Sequence, residues 1–333
     1  MKINIAINGF GRIGRLTLRA FFERKIGQFN IIAINDLGDV KSNIHLLKYD
    51  SVHGNFPLSI KENNDSIEIN NNRIHFLKEA NPNNLPWKKL GINLVIESTG
   101  VFTDREKAEM HLKAGAERVL ISAPSKNPDI TVVFGINNKM IKDEHKIISN
   151  GSCTTNCLAP IAYLMDNSVG IESGYMTTVH SVTGDQNTID TLHKDLRRAR
   201  NSLISIIPTS TGAARAMGEV LPNLKGKIDG SAIRVPTPNV SLVDFKFYSK
   251  KPTSSSELKK IFLKAESQEL KSVIQTVSDP MVSGDFNHNP HSSIIDLSEI
   301  TVIKDNFCRI LSWYDNEWGF SNRLLDVIKN IIR

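Results

Sequence analysis

The chain has 333 residues, 40% of them hydrophobic and 23% charged, a composition typical of a globular protein with room for two domains. Its formal net charge of +6 is modest, and no nucleic-acid-binding signature accompanies the one dense basic segment, 194–200. No apolar run reaches membrane-spanning length, the amino end has no signal-peptide pattern, and three cysteines do not make a disulfide framework, so we expect a cytoplasmic protein with no membrane or nucleic-acid partner.

The amino-terminal segment predicts a dinucleotide site. A buried strand over 3–8 leads directly into a G-x-G-x-x-G motif made by Gly9, Gly11 and Gly14, and a helical pattern and a second strand over 29–35 follow. Gly9 permits the tight turn, Gly11 lets the backbone approach a pyrophosphate, and Gly14 allows close helix–strand packing. The phosphates are expected at the helix N-terminus.

Asp36 ends the second strand, 22 residues after Gly14. A carboxylate at this position accepts hydrogen bonds from the adenosine ribose and repels a 2′-phosphate, so NAD is favoured over NADP as the cofactor. A glycine-rich turn with a helix-capping aspartate is the structural alternative.

Strands and helices continue to alternate through the first half. Strands over 93–97 and 118–122 predict a parallel sheet, and a helix is expected to begin at Thr103. Ligands of such sheets bind at the carboxyl ends of the strands, which nominates Thr99 and Ser122 as cofactor contacts.

The second half has a different pattern of longer strands, which predicts a mixed or antiparallel sheet. Strands are expected over 174–180, 231–235, 241–247, 292–297, 301–304 and 308–313. The predicted fold class is α/β: a doubly wound Rossmann domain plus an α+β catalytic domain with a mostly antiparallel sheet. The expected domains are 1–151 for NAD binding, 152–316 for catalysis, and a C-terminal helix, 317–333, that packs back on the NAD-binding domain.

Cys153 lies where the strand 146–148 turns into a helix over 152–166. A thiol at a helix N-terminus faces the positive end of the helix dipole, which favours the thiolate. Cys157 follows one turn later, so two buried core cysteines are the structural alternative for this pair.

His180 ends a predicted strand and would supply the general base that a thiol nucleophile needs, although surface or core histidines are common. No metal site is expected, because His288 and His291 lack further ligands at suitable spacing.

Several segments together resemble the phosphorylating (type I) glyceraldehyde-3-phosphate dehydrogenase family. They are Asn8-Gly9-Phe10-Gly11-Arg12-Ile13-Gly14-Arg15, Leu46-Leu47-Lys48-Tyr49-Asp50-Ser51, Glu97-Ser98-Thr99-Gly100, Ser149-Asn150-Gly151-Ser152-Cys153-Thr154-Thr155-Asn156-Cys157-Leu158-Ala159-Pro160, Thr209-Ser210-Thr211-Gly212-Ala213-Ala214, Arg234-Val235-Pro236-Thr237-Pro238-Asn239-Val240 and Trp313-Tyr314-Asp315-Asn316-Glu317. The similarity runs essentially from end to end. It departs at Gly151, where the family usually has alanine, and at Ala80, where it often has arginine near the adenine.

The resemblance implies a reaction and its site residues. Cys153 would attack the aldehyde of glyceraldehyde 3-phosphate, His180 would assist hydride transfer to NAD, and inorganic phosphate would release the thioester as 1,3-bisphosphoglycerate. Arg12 and Ile13 would contact the pyrophosphate through their backbone, and Asn316 would fix the nicotinamide amide. The residues implied for the two phosphate pockets are Thr183 and Arg234 in the first, Ser152, Thr154, Thr211 and Gly212 in the second, and Arg198 near both. A homotetramer is also implied.

Two alternatives remain open at this stage. One is an erythrose-4-phosphate dehydrogenase on the same scaffold, which shares the cysteine and histidine but differs in the phosphate-site segments. The other is an added, non-catalytic binding role, for which the basic segment would be the relevant feature.

Overall fold

The computed structural model describes residues 2–332, which form two compact units. The first unit comprises the chain up to Val132, Lys139–Gly151 and the segment from Ser321 onward. The second comprises Val133–Asn138 and Ser152–Phe320. Over the described residues, none of the helices combines the length and the apolar character needed to cross a membrane.

The first unit is built on a nine-stranded sheet with helices. In chain order its elements are β1 Ile3–Asn8, α1 Arg12–Glu23, β2 Phe29–Asn35, α2 Val40–Lys48, β3 Lys61–Glu62, β4 Ser66–Ile69, β5 Asn72–Leu77, a 3₁₀ turn Pro82–Asn84, α3 Trp87–Leu90, β6 Leu94–Glu97, α4 Arg105–Lys113, β7 Arg118–Ile121, β8 Ile130–Thr131 and β9 Ile147–Ser149.

The strand order is β3-β4-β5-β2-β1-β6-β7-β9-β8, and every neighbouring pair from β5 to β8 is parallel. Ile5, Ala6 and Ile7 of β1 are fully buried, as expected for a central strand covered on both faces. The sequence-based prediction of a parallel doubly wound sheet is confirmed. Because β2 and β6 lie on opposite sides of β1, the order reverses there, and a crevice opens at the carboxyl ends of these strands.

The start of α4 was predicted wrongly. The helix begins at Arg105, and Asp104 rather than Thr103 is its N-cap, with the Asp104 carboxylate accepting a hydrogen bond from the Lys107 backbone N–H at 3.0 Å. Aspartate is the stronger N-cap of the two adjacent candidates, because its side chain satisfies a free N–H of the first turn and its charge complements the helix dipole.

The second unit contains an eight-stranded mixed sheet. Its elements are α5 Cys153–Ser168, β10 Ile171–His180, β11 Ile207–Ser210, α6 Ala213–Val220, a 3₁₀ turn Pro222–Leu224, β12 Ile228–Arg234, β13 Ser241–Ser249, α7 Ser255–Ser267, β14 Ile274–Val277, 3₁₀ turns Ser283–Phe286 and Leu297–Glu299, β15 Ser293–Asp296, β16 Thr301–Ile303 and β17 Phe307–Tyr314. Helix α8 Trp318–Ile331 follows and belongs to the first unit from Ser321 onward, and a further 3₁₀ turn spans Asn138–Met140.

Most neighbouring pairs in this sheet are antiparallel, and only β10–β12 and β14–β15 are parallel. The expected mostly antiparallel sheet is therefore confirmed. Helix α5 is the central helix of this unit, because Leu158, Ile161 and Met165 are fully buried in its main apolar cluster. This packing fixes the helix whose first residue is Cys153.

The carboxyl-terminal helix is bonded to the first unit beyond Ser321. Arg24 donates to the Asp326 carboxylate at 2.6 Å, and Arg118 donates to the backbone carbonyl of Ile331 at 3.2 Å. These bonds tie the last helical turns to α1 and to the start of β7.

Candidate active site

The site is organised by a thiol and an imidazole that the fold brings together across 27 residues of sequence. Cys153 is the first residue of α5, and His180 is the last residue of β10. Cys153 Sγ lies 3.5 Å from His180 Nε2. Gly151, two residues before the thiol, has φ +62°, a left-handed conformation that glycine adopts without strain.

The ring of His180 is held by backbone and side-chain contacts on its other nitrogen. Nδ1 lies 2.7 Å from the Ser181 carbonyl oxygen, and Arg234 donates to that carbonyl at 3.1 Å and to Thr183 Oγ1 at 3.1 Å. The Ser181 carbonyl oxygen can only accept and favours a proton on Nδ1, whereas Arg234 Nη1, 2.9 Å from Nδ1, can only donate and favours an acceptor there. With the proton on Nδ1, Nε2 faces the thiol as the acceptor that a general base needs.

Burial, and then the charge of Arg234, lower the pKa of His180 to about 3. The imidazole is therefore neutral at neutral pH and able to take a proton. A pKa this far below neutral also makes the imidazole a weak proton acceptor, because a general base works best when its pKa is near the operating pH.

Burial opposes the stabilisation of the Cys153 thiolate that a helix N-terminus provides. Burial raises the pKa of the Cys153 thiol above its ordinary value, and the charge of Arg234 and the hydrogen bond with Thr154 oppose this only in part. Desolvation penalises the charged form more strongly than these groups favour it. The resting pair is thus a thiol facing a neutral imidazole.

Cys157 has the structural role that the sequence left open for this pair. It is fully buried in the core, its Sγ donates to Ser312 Oγ at 3.5 Å, and burial raises its pKa to about 12. A thiol with that pKa remains protonated and unreactive.

Tyr314 is a site residue that the sequence analysis missed. Its hydroxyl shares hydrogen bonds with Thr154 Oγ1 at 2.8 Å and Thr178 Oγ1 at 2.9 Å, and its ring meets His180 edge-on with centroids 6.0 Å apart. It joins the helix that carries the thiol to the strand that carries the base. Its position at the end of β17, in an alternating strand, was the available signal.

A cluster of arginines lies beside His180. Arg198 donates to the Asp185 carboxylate at 2.8 Å and to Thr209 Oγ1 at 2.9 Å, and Thr183 donates its hydroxyl proton to the same carboxylate. Burial raises the pKa of Asp185, but the Thr183 hydrogen bond and the charges of Arg234 and Arg198 outweigh it and hold this pKa below its ordinary value. Thr183, Arg198 and Arg234 are therefore brought together, and Asp185 was not foreseen.

The residues of the second predicted pocket lie at helix starts. Ser152 is the N-cap of α5 and accepts from the Thr155 backbone N–H at 3.0 Å, while Thr154 belongs to the first turn. Gly212 is the N-cap of α6, and Thr211 Oγ1 accepts from the Ala213 N–H at 3.2 Å. Both helix starts offer free backbone N–H groups, which favour anions.

The first unit holds a cleft of about 440 Å³ at the crevice beside β1. Four predicted cofactor residues line it, Gly9, Gly11, Asp36 and Thr99, and so does Ala80, the position expected near the adenine. The other lining residues include four that were not foreseen, Leu37, Glu79, Val101 and Phe102.

Each glycine of the motif has the environment that dinucleotide binding requires. Gly9 has φ +90°, and a Cβ there would lie 2.6 Å from the Thr99 nitrogen. A Cβ on Gly14 would lie 2.2 Å from the Gly9 carbonyl oxygen, so only glycine at this position lets the helix approach the preceding turn so closely. A Cβ on Gly11 would enter open space, which leaves its backbone accessible to a ligand. These features fit a dinucleotide.

The remaining predicted cofactor residues divide into two groups. Arg12 and Ile13 are the first two residues of α1, where backbone N–H groups have no helical partner, and Arg12 pairs with Asp50 at 2.6 Å. Ser122 and Asn316 do not line the cleft. Ser122 donates its N–H to the Glu97 carbonyl, and Asn316 belongs to the second unit, where its Oδ1 accepts from Ser181 and Ser241.

No group of three or more His, Cys, Asp or Glu residues suited to a metal ion occurs within 2–332.

Comparison with known proteins gives a consistent result over almost the whole chain. Residues 3–105 match the family described as glyceraldehyde 3-phosphate dehydrogenase, NAD binding domain, and residues 152–316 match its C-terminal domain. The chain is 53% identical over 326 residues to glyceraldehyde-3-phosphate dehydrogenase of Xanthobacter flavus and 50% identical over 326 residues to that of Cereibacter sphaeroides, covering 98% of this chain and 97% of each relative. It is 46% identical over 333 residues to glyceraldehyde-3-phosphate dehydrogenase 2 of Bacillus subtilis, covering 99% of this chain and 97% of the relative. The chain belongs to the glyceraldehyde-3-phosphate dehydrogenase family.

Proposed function

We propose that this chain is a phosphorylating, NAD-dependent glyceraldehyde-3-phosphate dehydrogenase that converts D-glyceraldehyde 3-phosphate, NAD and inorganic phosphate to 1,3-bisphosphoglycerate in glycolysis or gluconeogenesis. The observation that carries the proposal is the 3.5 Å contact between Cys153 Sγ and His180 Nε2, beside Arg234 and Thr183. The relatives above bear the same enzyme name, which supports glyceraldehyde 3-phosphate over erythrose 4-phosphate as the substrate.

Cys153 and His180 would perform the covalent steps. His180 Nε2 takes the thiol proton as the sulfur attacks the aldehyde carbon and returns it to the carbonyl oxygen, which gives a neutral hemithioacetal and a neutral imidazole. His180 then removes that hydroxyl proton while a hydride leaves the same carbon, which yields a thioester on Cys153. NAD supplies the hydride acceptor. Phosphate attacks the thioester carbon, and the sulfur departs as the leaving group with the acyl phosphate as product.

We assign the two phosphate pockets by the groups available in the second unit. Arg234 and Thr183 bind the substrate's own phosphate, and Arg198 serves both anions, because guanidinium groups bind phosphate through paired N–H donors. The attacking phosphate is bound by Ser152, Thr154, Thr211 and Gly212. The carboxylate of Asp185 accepts from Arg198 and Thr183 in this structure, so an incoming phosphate would compete for these donors.

We assign NAD binding to domain 1–151, catalysis to domain 152–316, and packing on the NAD-binding domain to the helix in 317–333. Gly9, Gly11, Gly14 and the first N–H groups of α1, from Arg12 and Ile13, receive the pyrophosphate. Asp36 would bind the adenosine ribose, with Thr99 and Ser122 near the cofactor and Asn316 on the nicotinamide amide.

The proposed assembly is a homotetramer, and the proposed location is the cytoplasm. Segment 181–208 exposes a group of large apolar side chains, which is the kind of surface that oligomer interfaces cover; they are Ile189, Leu192, Leu196, Ile204 and Ile206. A reducing compartment suits a nucleophile that must remain a free thiol.

The phosphate dependence of NAD reduction tests the mechanism. With glyceraldehyde 3-phosphate and NAD, we expect turnover to require inorganic phosphate, and Cys153→Ser to abolish turnover while NAD binding persists. Equal rates with and without phosphate would contradict the phosphorylating mechanism. A higher kcat/KM for erythrose 4-phosphate than for glyceraldehyde 3-phosphate would contradict the substrate assignment.

A further inference from the structure

A buried polar network lies directly behind the cofactor cleft, and its central residues have none of the roles assigned above. Its centre is the pair of Glu97, at the end of β6, and His111, in α4, whose side chains are both 0% exposed. Glu97 Oε2 lies 3.0 Å from His111 Nε2. A fully buried carboxylate is costly unless every lone pair is satisfied, so its partners define its role.

Trp87 fixes the protonation of His111. The indole Nε1–H, which can only donate, lies 3.0 Å from His111 Nδ1. Nδ1 must therefore accept, and the ring proton is on Nε2, where it is donated to Glu97. The imidazole thus links the fully buried indole of Trp87 to the carboxylate of Glu97 through two hydrogen bonds.

Glu97 in turn holds residues on two neighbouring strand ends. Its Oε2 also accepts from Asn8 Nδ2 at 2.6 Å, at the end of β1. Its Oε1 accepts from the Thr99 backbone N–H at 2.8 Å and from the Thr99 hydroxyl. Four donors saturate the carboxylate: Oε2 accepts from His111 and Asn8, and Oε1 accepts twice from Thr99.

The network continues to a third strand end. Asn35 donates to Asn8 Oδ1 at 2.7 Å and to the Glu79 carbonyl at 2.9 Å, and it accepts from the Glu79 N–H at 2.9 Å. Asn8, Asn35, Glu79 and Thr99 all line the cleft, whereas Trp87, Glu97 and His111 do not. The cleft-lining polar residues are thus fixed from behind by groups that a bound ligand cannot touch.

We propose that Glu97, His111 and Trp87 are positioning residues that preorganise Thr99, Asn8 and Asn35 for NAD and so set the affinity of the chain for this cofactor. The inference rests on the proposed use of this cleft for NAD. Since ligand binding is weakened when the site must first be ordered, loosening the network raises the dissociation constant without removing a ligand contact.

The test measures equilibrium NAD binding without substrate, alongside the thermal midpoint. His111→Leu removes the donor to Glu97, whereas His111→Gln keeps an amide N–H for it. Trp87→Phe removes only the indole donor. We expect the Kd for NAD to rise about tenfold in His111→Leu and about threefold in Trp87→Phe, with His111→Gln restoring most of the affinity. At saturating NAD, kcat should change by less than about twofold while KM for NAD rises.

Ile92→Ala is the matched control, because Ile92 packs in the same apolar cluster as Trp87 but takes no part in the polar network. It should lower the thermal midpoint and leave the Kd unchanged. A Kd for His111→Leu equal to that of Ile92→Ala, at a similar loss of thermal stability, would overturn the inference and leave a purely structural network. A wild-type chain that binds no NAD would overturn the proposed function together with the inference.

Discussion

At the scale of single residues, the reactivity of Cys153 depends on a balance between burial and one cation. Burial raises the pKa of the thiol, and the charge of Arg234 is the largest opposing influence. Arg234→Met should therefore raise this pKa further and slow alkylation of Cys153 by iodoacetamide at pH 8 by about threefold, because the thiolate is the nucleophile. Measuring the alkylation rate from pH 6 to 10 in both proteins checks this.

Two variants control that experiment. Arg198→Met removes an equal charge from the same unit, but Arg234 is the largest influence that lowers the pKa of the thiol, so Arg198→Met should slow alkylation less than Arg234→Met. Cys153→Ser should take up no label, because Cys157 and Cys308 are buried. Faster labelling of Arg234→Met would mean instead that His180, once freed from the arginine, gains a proton and stabilises the thiolate.

His180 also links the stability of the fold to pH. Burial and the Arg234 charge lower its pKa to about 3, while in the unfolded chain it is about 6.5. Between these values the unfolded state binds a proton that the folded state rejects, so stability falls as the pH drops through this range. Above this range His180 is neutral in both the folded and the unfolded state, so it adds no pH dependence to the stability.

The non-titrating variant His180→Gln should lose less stability on acidification. We expect the unfolding free energy of the wild type minus that of the variant to fall from pH 7 to pH 5, by up to about 1.4 kcal/mol per pH unit below 6.5. Urea denaturation at fixed protein concentration measures it. Asp185 titrates in both proteins and cancels in the comparison. Parallel curves for the two proteins would contradict a neutral, buried His180.

The sequence predicted those site residues that belong to a local motif. Cys153 lies between a predicted strand and a predicted helix, and Gly9, Gly11 and Gly14 follow a predicted strand. These local patterns were enough to predict where the four residues lie in the fold. Asp185 carries no such pattern, and the alternating pattern of β17 marks only the position of Tyr314, because the roles of both residues come from contacts across the fold. The effect of burial on the pKa of the Cys153 thiol was not predicted for the same reason, since burial depends on neighbours that are distant in sequence.

At the scale of secondary-structure elements, helix α5 depends on its cap. Ser152 Oγ accepts from the Thr155 N–H, so Ser152→Ala should cost about 1 kcal/mol of stability, whereas Ser152→Asn should retain most of it. Urea denaturation without phosphate measures this. Ser254→Ala is the matched control, since Ser254 caps α7 through the Glu257 N–H at 3.2 Å.

The two cap variants differ in their expected effect on function. Ser254→Ala should lose a similar free energy but keep its activity, because α7 carries none of the proposed site residues. Ser152→Ala should in addition raise KM for inorganic phosphate. An unchanged phosphate KM would remove Ser152 from the phosphate pocket and leave it as a cap.

Strands that are buried on both faces were predicted correctly, whereas two short strands were not predicted. The central parallel strands of the first unit are apolar on both faces, so their runs were plain in the sequence. Strands β11 and β14 were not predicted, because β11 contains Pro208 and β14 has the polar pair Gln275 and Thr276, and each is only four residues long. Their pairing with neighbouring strands, not their composition, makes them strands.

At the scale of the whole molecule, the exposed apolar surface of segment 181–208 has a consequence for assembly. Leu192 is 99% exposed and Leu196 and Ile204 are each 81% exposed in the single chain. Single exposed leucines are ordinary, but several within one short segment are typical of an interaction surface, which is consistent with the proposed assembly.

The proposed homotetramer predicts a mass four times the 37.1 kDa of the chain in sedimentation equilibrium. Leu192→Asp with Leu196→Asp should reduce that mass, because burying two carboxylates in an apolar interface is unfavourable, while circular dichroism stays unchanged. Val282→Asp is the control, since Val282 is 65% exposed and lies outside the segment, and its mass should equal the wild type. A wild-type mass of a single chain would contradict the tetramer. An unchanged mass in the double variant would show that these side chains lie outside the interface.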